Sequence, residues 1–562
     1  MFFRRILAII LATAACQIFA ASFLHEKGFA YYLLDGQAVI TGFPSVAEIV
    51  LPGTLGGYVV RGCDTTYLRH NGIAIKSLTL EPSCKAFVLE HGILFSSDKK
   101  TLIKYPSASK ERTYEIPDGV RHIAPGAFTG ARYLISIKLP QTLVSIGSEA
   151  FAYTGLAGLA FPDSLTIIGE NAFAGTPLIA PTLPQNLIRI SPGVFNNCHS
   201  LTTITAGAKL EEIAEGAFAN CDALTTVKLP DSLKRIGKDA FQNCRSLQTF
   251  TISAAVSEIG ENAFSGCLSL ASFNVDASNS TFSANNGVLF NSKENILMAF
   301  PPKHPATEFA IPETVTSIAA RAFSNCTQLN SVTLPPHLVR IGEGAFFNGP
   351  GLASWNLPAS LTTIGDNAFA KNSRIVDFIL PQTVTHLGKG VFSSCENLRD
   401  IDISLLNSTN VPAFICSGCS ALKNVNLPMN ATSIGAKAFY GCAVLAQIIL
   451  PDSLTSIHDA AFEHCAALSS ITFPTTLRHI GDRAFASCAA LTELQLPGKL
   501  ESLGRQAFEN CPSLVTVTFP DNLAVLKFAT FRNCTSLQTV FFPKIHPEEE
   551  PQVFQNCPKF KR

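Results

Sequence analysis

Apolar and polar positions alternate over short stretches of this chain, and these stretches return at a nearly constant interval. In the segment 224–244, residues 226–229 alternate outward and inward, which predicts a half-buried β-strand. Pro230 ends that strand because proline cannot donate to a β-ladder. The pattern therefore predicts one short strand in each interval, with its even-numbered and odd-numbered side chains on opposite faces.

The rest of the same segment predicts how the interval closes. Leu233 and Ile236 form a second inward pair, and Gly237 permits a tight backbone after them. Residues 239–241 are expected to form a one-turn helix or 3₁₀ segment that places Phe241 in the core. Cys244 and Leu247 then complete the interval.

A phenylalanine after Ala, Val or Thr marks each interval, and most neighbouring pairs of these anchors are 23 residues apart. The anchors are Phe128, Phe151, Phe173, Phe195, Phe218, Phe241, Phe264, Phe323, Phe346, Phe369, Phe392, Phe414, Phe439, Phe462, Phe485, Phe508, Phe531 and Phe554. A fixed period between 20 and 29 residues indicates a solenoid of stacked coils. A solenoid presents a long regular surface, so binding is a more natural role for it than catalysis.

The repeated unit L-x-x-[VI]-x-L-P-x-x-L-x-x-I-G-x-x-A-F-x-x-C recurs from Leu134 to Cys557. It resembles the BspA-like class of leucine-rich repeats in bacterial surface proteins. This resemblance implies a leucine-rich-repeat solenoid with a parallel β-sheet of short strands on its concave face and 3₁₀ or helical turns on its convex side. It also implies an adhesin-like role, because members are associated with binding to host matrix proteins and to other cells.

A second motif occurs twice and divides the repeats into two arrays. The segment 87–95 and the segment 282–290 share the register of their Phe, Gly and aliphatic residues, and each predicts a β-hairpin. We therefore expect a signal peptide at 1–21, an N-terminal cap and hairpin module at 22–116, and a first array at 117–275. A hairpin insertion at 276–311 and a second array with a C-terminal cap at 312–562 follow.

The N-terminus predicts export. Arg4 and Arg5 precede an apolar run at 6–15, followed by small residues, which is the pattern of a bacterial signal peptide. Two modes stay open: simple cleavage, or a lipoprotein with its lipid on Cys16. In both, the mature chain is secreted or held at the cell surface, without a segment that inserts in the membrane.

Composition narrows the function further. The chain has 42 Lys+Arg and 42 Asp+Glu, so charge gives no argument for a nucleic-acid partner. It shows no nucleophile elbow, phosphate loop or HExxH motif. We expect a protein that is not an enzyme and needs no cofactor.

The cysteines are expected to be structural. Twelve of them stand three residues after an anchor, at Cys198, Cys221, Cys244, Cys267, Cys326, Cys395, Cys442, Cys465, Cys488, Cys511, Cys534 and Cys557. Side chains that point inward in register fit disulfide torsions poorly, which favours reduced, buried thiols. A bridge between Cys63 and Cys84 stays open. No metal or redox site is expected at Cys416 and Cys419, because no second pair stands at metal spacing, nor at His458, His464 and His479, because His458 and His479 occupy different slots of the coil.

The outward strand positions are the informative surface, because packing does not dictate them. Most are small and hydroxylated, and Trp355 takes an inward slot. The exception is a cluster of carboxylates, amides and isoleucines over four adjacent coils: Asp377, Ile379, Asp400, Asp402, Asn424, Asn426 and Ile449. Stacked like charges cost stability, so this departure predicts a ligand-binding patch.

Two functions follow from this surface. The first is an exported protein that binds a host matrix or cell-surface protein or a glycan through its concave sheet. The alternative is a structural, self-associating envelope protein with no specific ligand. A monomer that binds matrix or cells favours the first, and concentration-dependent polymers favour the second.

Overall fold

The computed structural model of this chain describes residues 23–65, 73–350 and 355–561. Packing divides the chain into two compact units, residues 1–267 and 268–562. The expected signal peptide and the lipid site at Cys16 lie outside the described residues.

The chain begins with a mainly antiparallel sheet in the order β1-β2-β3-β6-β5, beside a parallel pair formed by β4 and β7. These strands are β1 Leu24–Glu26, β2 Phe29–Leu34, β3 Gln37–Gly42, β4 Glu48–Leu51, β5 Thr54–Leu55, β6 Tyr58–Cys63 and β7 Ser77–Leu80. Phe29, Ile40, Ile49 and Leu94 belong to the core beneath them.

The two predicted hairpins are present, and each leads directly into a parallel ladder. In the first unit the strands are β8 Phe87–Glu90, β9 Ile93–Ser96 and β10 Thr101–Lys104; in the second they are β24 Phe282–Asn285, β25 Val288–Asn291 and β26 Ile296–Ala299. Gly92 and Gly287 take φ values of +77° and +80° in the two-residue turns, a conformation that favours glycine. The third strand of each hairpin pairs in parallel with the following coil.

Most coils contribute a three-residue or four-residue strand to what we call the first ladder. In the first unit these are β11 Thr113–Glu115, β13 Ser136–Lys138, β17 Thr203–Thr205, β19 Thr226–Lys228 and β21 Thr249–Ile252. In the second unit they are β23 Ser272–Val275, β27 Glu308–Ala310, β29 Ser331–Thr333, β32 Asp377–Ile379, β34 Asp400–Asp402, β36 Asn424–Asn426, β40 Glu493–Gln495, β42 Thr516–Thr518 and β44 Thr539–Phe541. The pairings are parallel and in register, as the repeat predicts.

A second ladder, which the sequence pattern did not predict, runs through the same coils. In the first unit it comprises β12 His122–Ile123, β14 Ser145–Ile146, β15 Ile167–Ile168, β16 Arg189–Ile190, β18 Glu212–Ile213, β20 Arg235–Ile236 and β22 Glu258–Ile259. In the second unit it comprises β28 Ser317–Ile318, β30 Arg340–Ile341, β31 Thr363–Ile364, β33 His386–Leu387, β35 Asn410–Val411, β37 Ser433–Ile434, β38 Ser456–Ile457, β39 His479–Ile480, β41 Ser502–Leu503, β43 Val525–Leu526 and β45 Glu548–Glu549. Most of these two-residue strands bury an aliphatic residue beside a more exposed neighbour, as in Arg235 and Ile236.

The expected 3₁₀ or helical turns are not formed: no helix occurs in the described residues. Asp239 and Asn243, on either side of Phe241, have φ values of +53° and +58°, which a right-handed helix cannot contain. The amide of Phe241 donates to Ala263 O of the next coil (2.8 Å) instead of to its own coil. The segment is therefore a series of tight turns bonded between coils.

The anchor phenylalanines stack on one another and form the centre of each core. The rings of Phe462, Phe485 and Phe508 are separated by 5.1 and 5.2 Å and are nearly parallel. Trp355 is buried against Phe346 and Phe369, so its predicted inward orientation is confirmed.

Candidate functional site

Three neighbouring strands of the first ladder bring the predicted patch together. In β32, β34 and β36, Asp377 pairs with Asp400, and Asp400 with Asn424. One pleat further on, Ile379 pairs with Asp402, and Asp402 with Asn426. The expected adjacency of these six residues is therefore present, and we call them, together with Ile449, the strip. Its role in ligand binding stays a prediction.

Amides on the neighbouring coil orient two carboxylates of the strip. Asn424 donates its Nδ2 to Asp400 Oδ1, and Asn426 donates its Nδ2 to Asp402 Oδ2 (3.2 Å). Asp402 Oδ1 also accepts from the Ser404 hydroxyl (2.6 Å) and the Ser404 amide (2.9 Å). The hydroxyl bond of Ser404 is the main cause that lowers the pKa of Asp402 below its ordinary value, so this group is a stable anion at neutral pH.

The strip carries aliphatic side chains in unusual exposure. Ile379 is 73% exposed and Ile449 is 80% exposed, although these slots hold Lys228 or Thr518 in other coils. Leu405 and Met429, at the turns that follow β34 and β36, are 54% and 66% exposed. Large apolar side chains that gather on adjacent coils mark an interaction surface more often than a solvated face.

The fourth coil of the strip departs from the prediction. Residues 445–450 and 468–474 form no regular strand, although both segments keep the apolar–polar alternation of a strand. Nothing in their residues explains this difference. Instead, a groove of about 510 Å³ lies between the two segments, lined by Gln447–Leu450 on one side and by Ser470–Thr475 on the other. Ile449 therefore stands on the wall of a groove.

The coil that contains β34 and β35 is also irregular, and Phe414 is not an anchor. Phe392 N donates to Ile415 O (2.9 Å), and Cys416 N donates to Ala438 O (2.8 Å), which are the bonds of the anchor turn shifted by two residues. Cys416 thus occupies the buried anchor slot, whereas Phe414 is 41% exposed. The spacing between anchor slots is then 24 residues from Phe392 to Cys416 and 23 from Cys416 to Phe439, instead of the predicted 22 and 25.

Pro412 explains why the second ladder breaks in this coil. In regular coils the residue after the buried aliphatic one donates its amide to the previous coil, as Gly435 N does to Val411 O (2.9 Å) and His458 N does to Ile434 O (2.9 Å). Glycine often stands here, and a Cβ on Gly435 would lie 2.4 Å from Ala413 N. Pro412 has no N–H with which to make this bond. Accordingly, β33 and β35 belong to separate sheets.

A second groove of about 530 Å³ lies at this break. Its wall includes polar side chains from five coils: Asp366, His386, Lys389, Asn410, Ser433 and His458. Leu387, Leu406 and Val411 form its apolar part. The two grooves therefore lie on different ladders of the same group of coils.

The column of cysteines is buried and reduced, as predicted, but its thiols also donate hydrogen bonds to backbone carbonyls. Cys244 Sγ contacts Phe218 O at 3.2 Å, and Cys488 Sγ contacts Phe462 O at 3.3 Å, so each thiol reaches the anchor carbonyl of the previous coil. Thr176 and Asn372 fill the same slot elsewhere and also donate to anchor carbonyls. Burial raises the pKa of Cys465 to about 12, which keeps the thiol protonated.

The remaining candidates do not converge. Cys63 and Cys84 are both free thiols in this structure. His464 packs edge-on against Tyr440, whereas the ring of His479 bonds Ser502 Oγ at 3.0 Å. No group of metal-ligating side chains was found in residues 23–65, 73–350 and 355–561. Within those ranges no helix has the length and hydrophobicity needed to cross a bilayer.

Comparison with known families identifies the family to which the repeat belongs. The model of the BspA type leucine rich repeat region matches residues 107–180, 166–296, 298–411, 409–538 and 455–562. The chain belongs to this family. The match covers both arrays and agrees with the resemblance seen in the repeated unit.

Solved leucine-rich-repeat proteins of bacteria are similar to this chain at low identity, and no curated protein matches it. A leucine-rich repeat protein from Eubacterium ventriosum is 22% identical, covering 71% of this chain and 94% of that one, with a TM-score of 0.47. A leucine rich cell surface protein from Faecalibacterium prausnitzii is 22% identical, covering 82% and 95%, with a TM-score of 0.37. The pneumococcal vaccine antigen PcpA is 19% identical, covering 82% and 93%, with a TM-score of 0.38.

Sequence reasoning missed three contributors to the site: Leu405, Pro412 and Met429. A signal for the first two was available. Leu406 and Val411 are five residues apart, whereas the matching Leu233 and Ile236 are three apart. This longer turn marks the irregular coil, and Leu405, which is exposed, directly precedes it.

Proposed function

We propose that this protein is an exported bacterial surface protein of adhesin type, which binds a protein or a glycan of a host matrix or a cell surface through the strip. The observation that carries the proposal is the exposure of Ile379 and Ile449 beside ordered carboxylates on three paired strands. An exposed aliphatic surface with a polar border is typical of an interface core. The family match supports surface location and a repeat scaffold rather than catalysis.

The test is a binding screen of the mature protein against matrix proteins, glycans and whole cells. Asp400→Ser combined with Asp402→Ser should weaken binding by roughly tenfold or more, because two hydrogen-bonded anions are removed from the surface. The fold should stay intact, since exposed slots on the same ladder hold Thr516 and Thr518 elsewhere.

A matched control lies on the same ladder of the same unit. Glu493→Ser combined with Gln495→Ser changes the equivalent outward slots of β40 and should leave binding unchanged. Equal binding by the parent and both variants would contradict the role of the strip. Concentration-dependent polymers of the parent, with no binding in any screen, would favour the structural alternative.

A further inference from the structure

The exposed aliphatic side chains set the first requirement for a partner. Ile379, Leu405, Met429 and Ile449 belong to four consecutive coils, which at a ladder spacing of about 4.8 Å extend over roughly 15 Å. Burying such side chains against apolar groups of a partner stabilises a complex through the hydrophobic effect. A partner gains this energy only if it offers apolar side chains of its own, which a peptide chain does and a polyhydroxyl glycan does poorly.

The groove beside Ile449 provides a place for one such side chain. Its walls include Ile448, Leu450 and Phe473, whose side chains are buried in the core behind it, and Asp452 lies at its margin. Hot spots of protein interfaces are anchors that fill pockets of this kind. A volume of about 510 Å³ is sufficient for one large aliphatic or aromatic side chain with part of its backbone.

The charges of the strip set the second requirement. Elsewhere on the ladders, acidic side chains pair with cations of the neighbouring coil, as Glu212 does with Arg235 (2.9 Å) and Glu211 with Lys234 (2.9 Å). None of the ion pairs within the described residues includes Asp377, Asp400 or Asp402. Asp400 and Asp402 have amide and hydroxyl partners only, and all three carboxylates retain acceptor sites for a cation.

Two basic residues border the strip and make its charge distribution asymmetric. Arg399 and Lys423 directly precede β34 and β36 and are exposed. The acidic column of Asp377 and Asp400 lies beside them, and the aliphatic corner of Leu405 and Met429 lies at the opposite end of the strands. A partner's cations are therefore favoured over the carboxylates and towards the aliphatic corner, away from Arg399 and Lys423.

We infer that the strip binds a protein segment in the polyproline II conformation, in which basic side chains alternate with aliphatic ones, one of which enters the groove beside Ile449. This inference rests on the proposed function and specifies its partner: a peptide chain rather than a glycan. A segment of about five residues spans the strip at about 3.1 Å per residue, and with three residues per turn an alternating sequence turns both kinds of side chain towards it.

The test uses the full mature chain and labelled hexapeptides. The peptide (Leu-Lys)₃ satisfies both requirements, (Leu-Glu)₃ reverses the charge, and (Ser-Lys)₃ removes the aliphatic side chains. Fluorescence anisotropy should show affinity for (Leu-Lys)₃ at least about tenfold above that for the other two, because each lacks one half of the interaction. Raising ionic strength from about 50 to 500 mM should weaken binding several-fold, since exposed charges are screened.

Paired variants separate the contributions. Asp400→Asn with Asp402→Asn should remove the preference for (Leu-Lys)₃ over (Leu-Glu)₃. Ile379→Thr with Ile449→Thr should remove the preference for (Leu-Lys)₃ over (Ser-Lys)₃. Thr516→Ser with Thr518→Ser, in a regular part of the ladder, should change neither. Equal affinity of the parent for all three peptides would overturn the inference.

A glycan arm distinguishes this inference from the proposed function. If maltohexaose or chitohexaose binds the strip and Asp400→Asn with Asp402→Asn abolishes that binding, the proposed function stands and the peptide inference is wrong. If neither peptides nor glycans, cells or matrix proteins respond to the strip variants, both are wrong.

Discussion

Two groups of coils in the second unit differ in regularity, although both belong to the same repeat. In the regular group, Phe462, Phe485, Phe508 and Phe531 stack at 5.1 to 5.6 Å, and β37, β38, β39 and β41 form one continuous ladder. In the irregular group, between Phe392 and Phe439, Cys416 replaces the anchor and the second ladder is broken.

The difference shows that regularity and surface chemistry are linked. The irregular coil has one additional residue, a proline where regular coils donate an amide N–H, and an exposed aromatic ring at Phe414. The groove at Pro412 and most of the strip lie on this coil and its neighbours, whereas the groove beside Ile449 lies further along the unit, where residues 445–450 and 468–474 form no regular strand. A repeat that is repeated faithfully gives a uniform surface, whereas a local departure gives a site that a ligand can distinguish.

The largest expected effect on stability is at a true anchor, Phe485, which we compare with Phe414. Phe485→Ala should cost about 3 to 5 kcal/mol, because it removes a fully buried ring and leaves a cavity between two stacked neighbours. Phe414→Ala should cost less than about 1 kcal/mol, since that residue is 41% exposed and fills no core slot. Urea unfolding monitored by circular dichroism checks both, and equal losses would show that the assignment of Cys416 to the anchor slot is wrong.

The two hairpin modules differ at one buried position. Lys104 of β10 is buried, with its Nζ on Gly126 O at 2.6 Å, where the second module has Ala299. Burial lowers the pKa of Lys104 to about 7, whereas the unfolded chain keeps the proton up to a pKa of about 10.4. Unfolding therefore takes up a proton between these values, so the burial penalty is full below pH 7 and disappears as pH rises towards 10.

Lys104→Met should remove this pH dependence. Relative to the parent, its unfolding free energy should fall by about 3 kcal/mol between pH 7.5 and pH 10, which is the linkage expected for the two pKa values. Lys100→Met, at an exposed lysine of the same hairpin, should show no such trend. Parallel stability curves for Lys104→Met and the parent would contradict a neutral buried lysine.

The cysteine column gives a smaller and sharper comparison. At Cys488, threonine retains a donor for the Phe462 carbonyl and valine of the same shape does not. Cys488→Val should therefore be about 1 kcal/mol less stable than Cys488→Thr, despite its greater hydrophobicity. The opposite order in thermal unfolding would mean that the slot selects size alone.

The smallest expected effect on stability concerns the break in the second ladder at Pro412. Pro412→Gly restores the N–H that regular coils use, so a bond to Leu387 O should form. We expect a change in stability within about 1 kcal/mol, because one gained hydrogen bond is partly offset by glycine's greater chain entropy. Slower amide exchange of residues 410 and 411 in the variant than in the parent checks this, whereas unchanged exchange would place the cause of the break elsewhere.

Much of the fold could be predicted from the sequence because each coil repeats the same burial problem. The anchor slots, the inward orientation of Trp355 and the burial of Cys244 all follow from the period. The second ladder could not be predicted, since a two-residue strand such as β20 has no alternation to detect. The helical expectation at Phe241 was wrong because left-handed residues such as Asn243 leave no composition signal distinct from a helix cap.

The strip illustrates the same limit at the level of function. Its six paired residues were predicted from their outward slots, because strand register follows from the period. The groove at Ile449 and the exposure of Met429 depend on how neighbouring coils separate, which no residue of those coils encodes by itself.

Hydrogen exchange of the full chain, with and without saturating (Leu-Lys)₃, tests the central claim most directly. If the irregular coils form the binding surface, protection should appear in residues 377–379, 400–402, 424–426 and 447–450, and β40, β42 and β44 should be unchanged. Uniform protection along the first ladder, or protection confined to the groove at Pro412, would contradict the account.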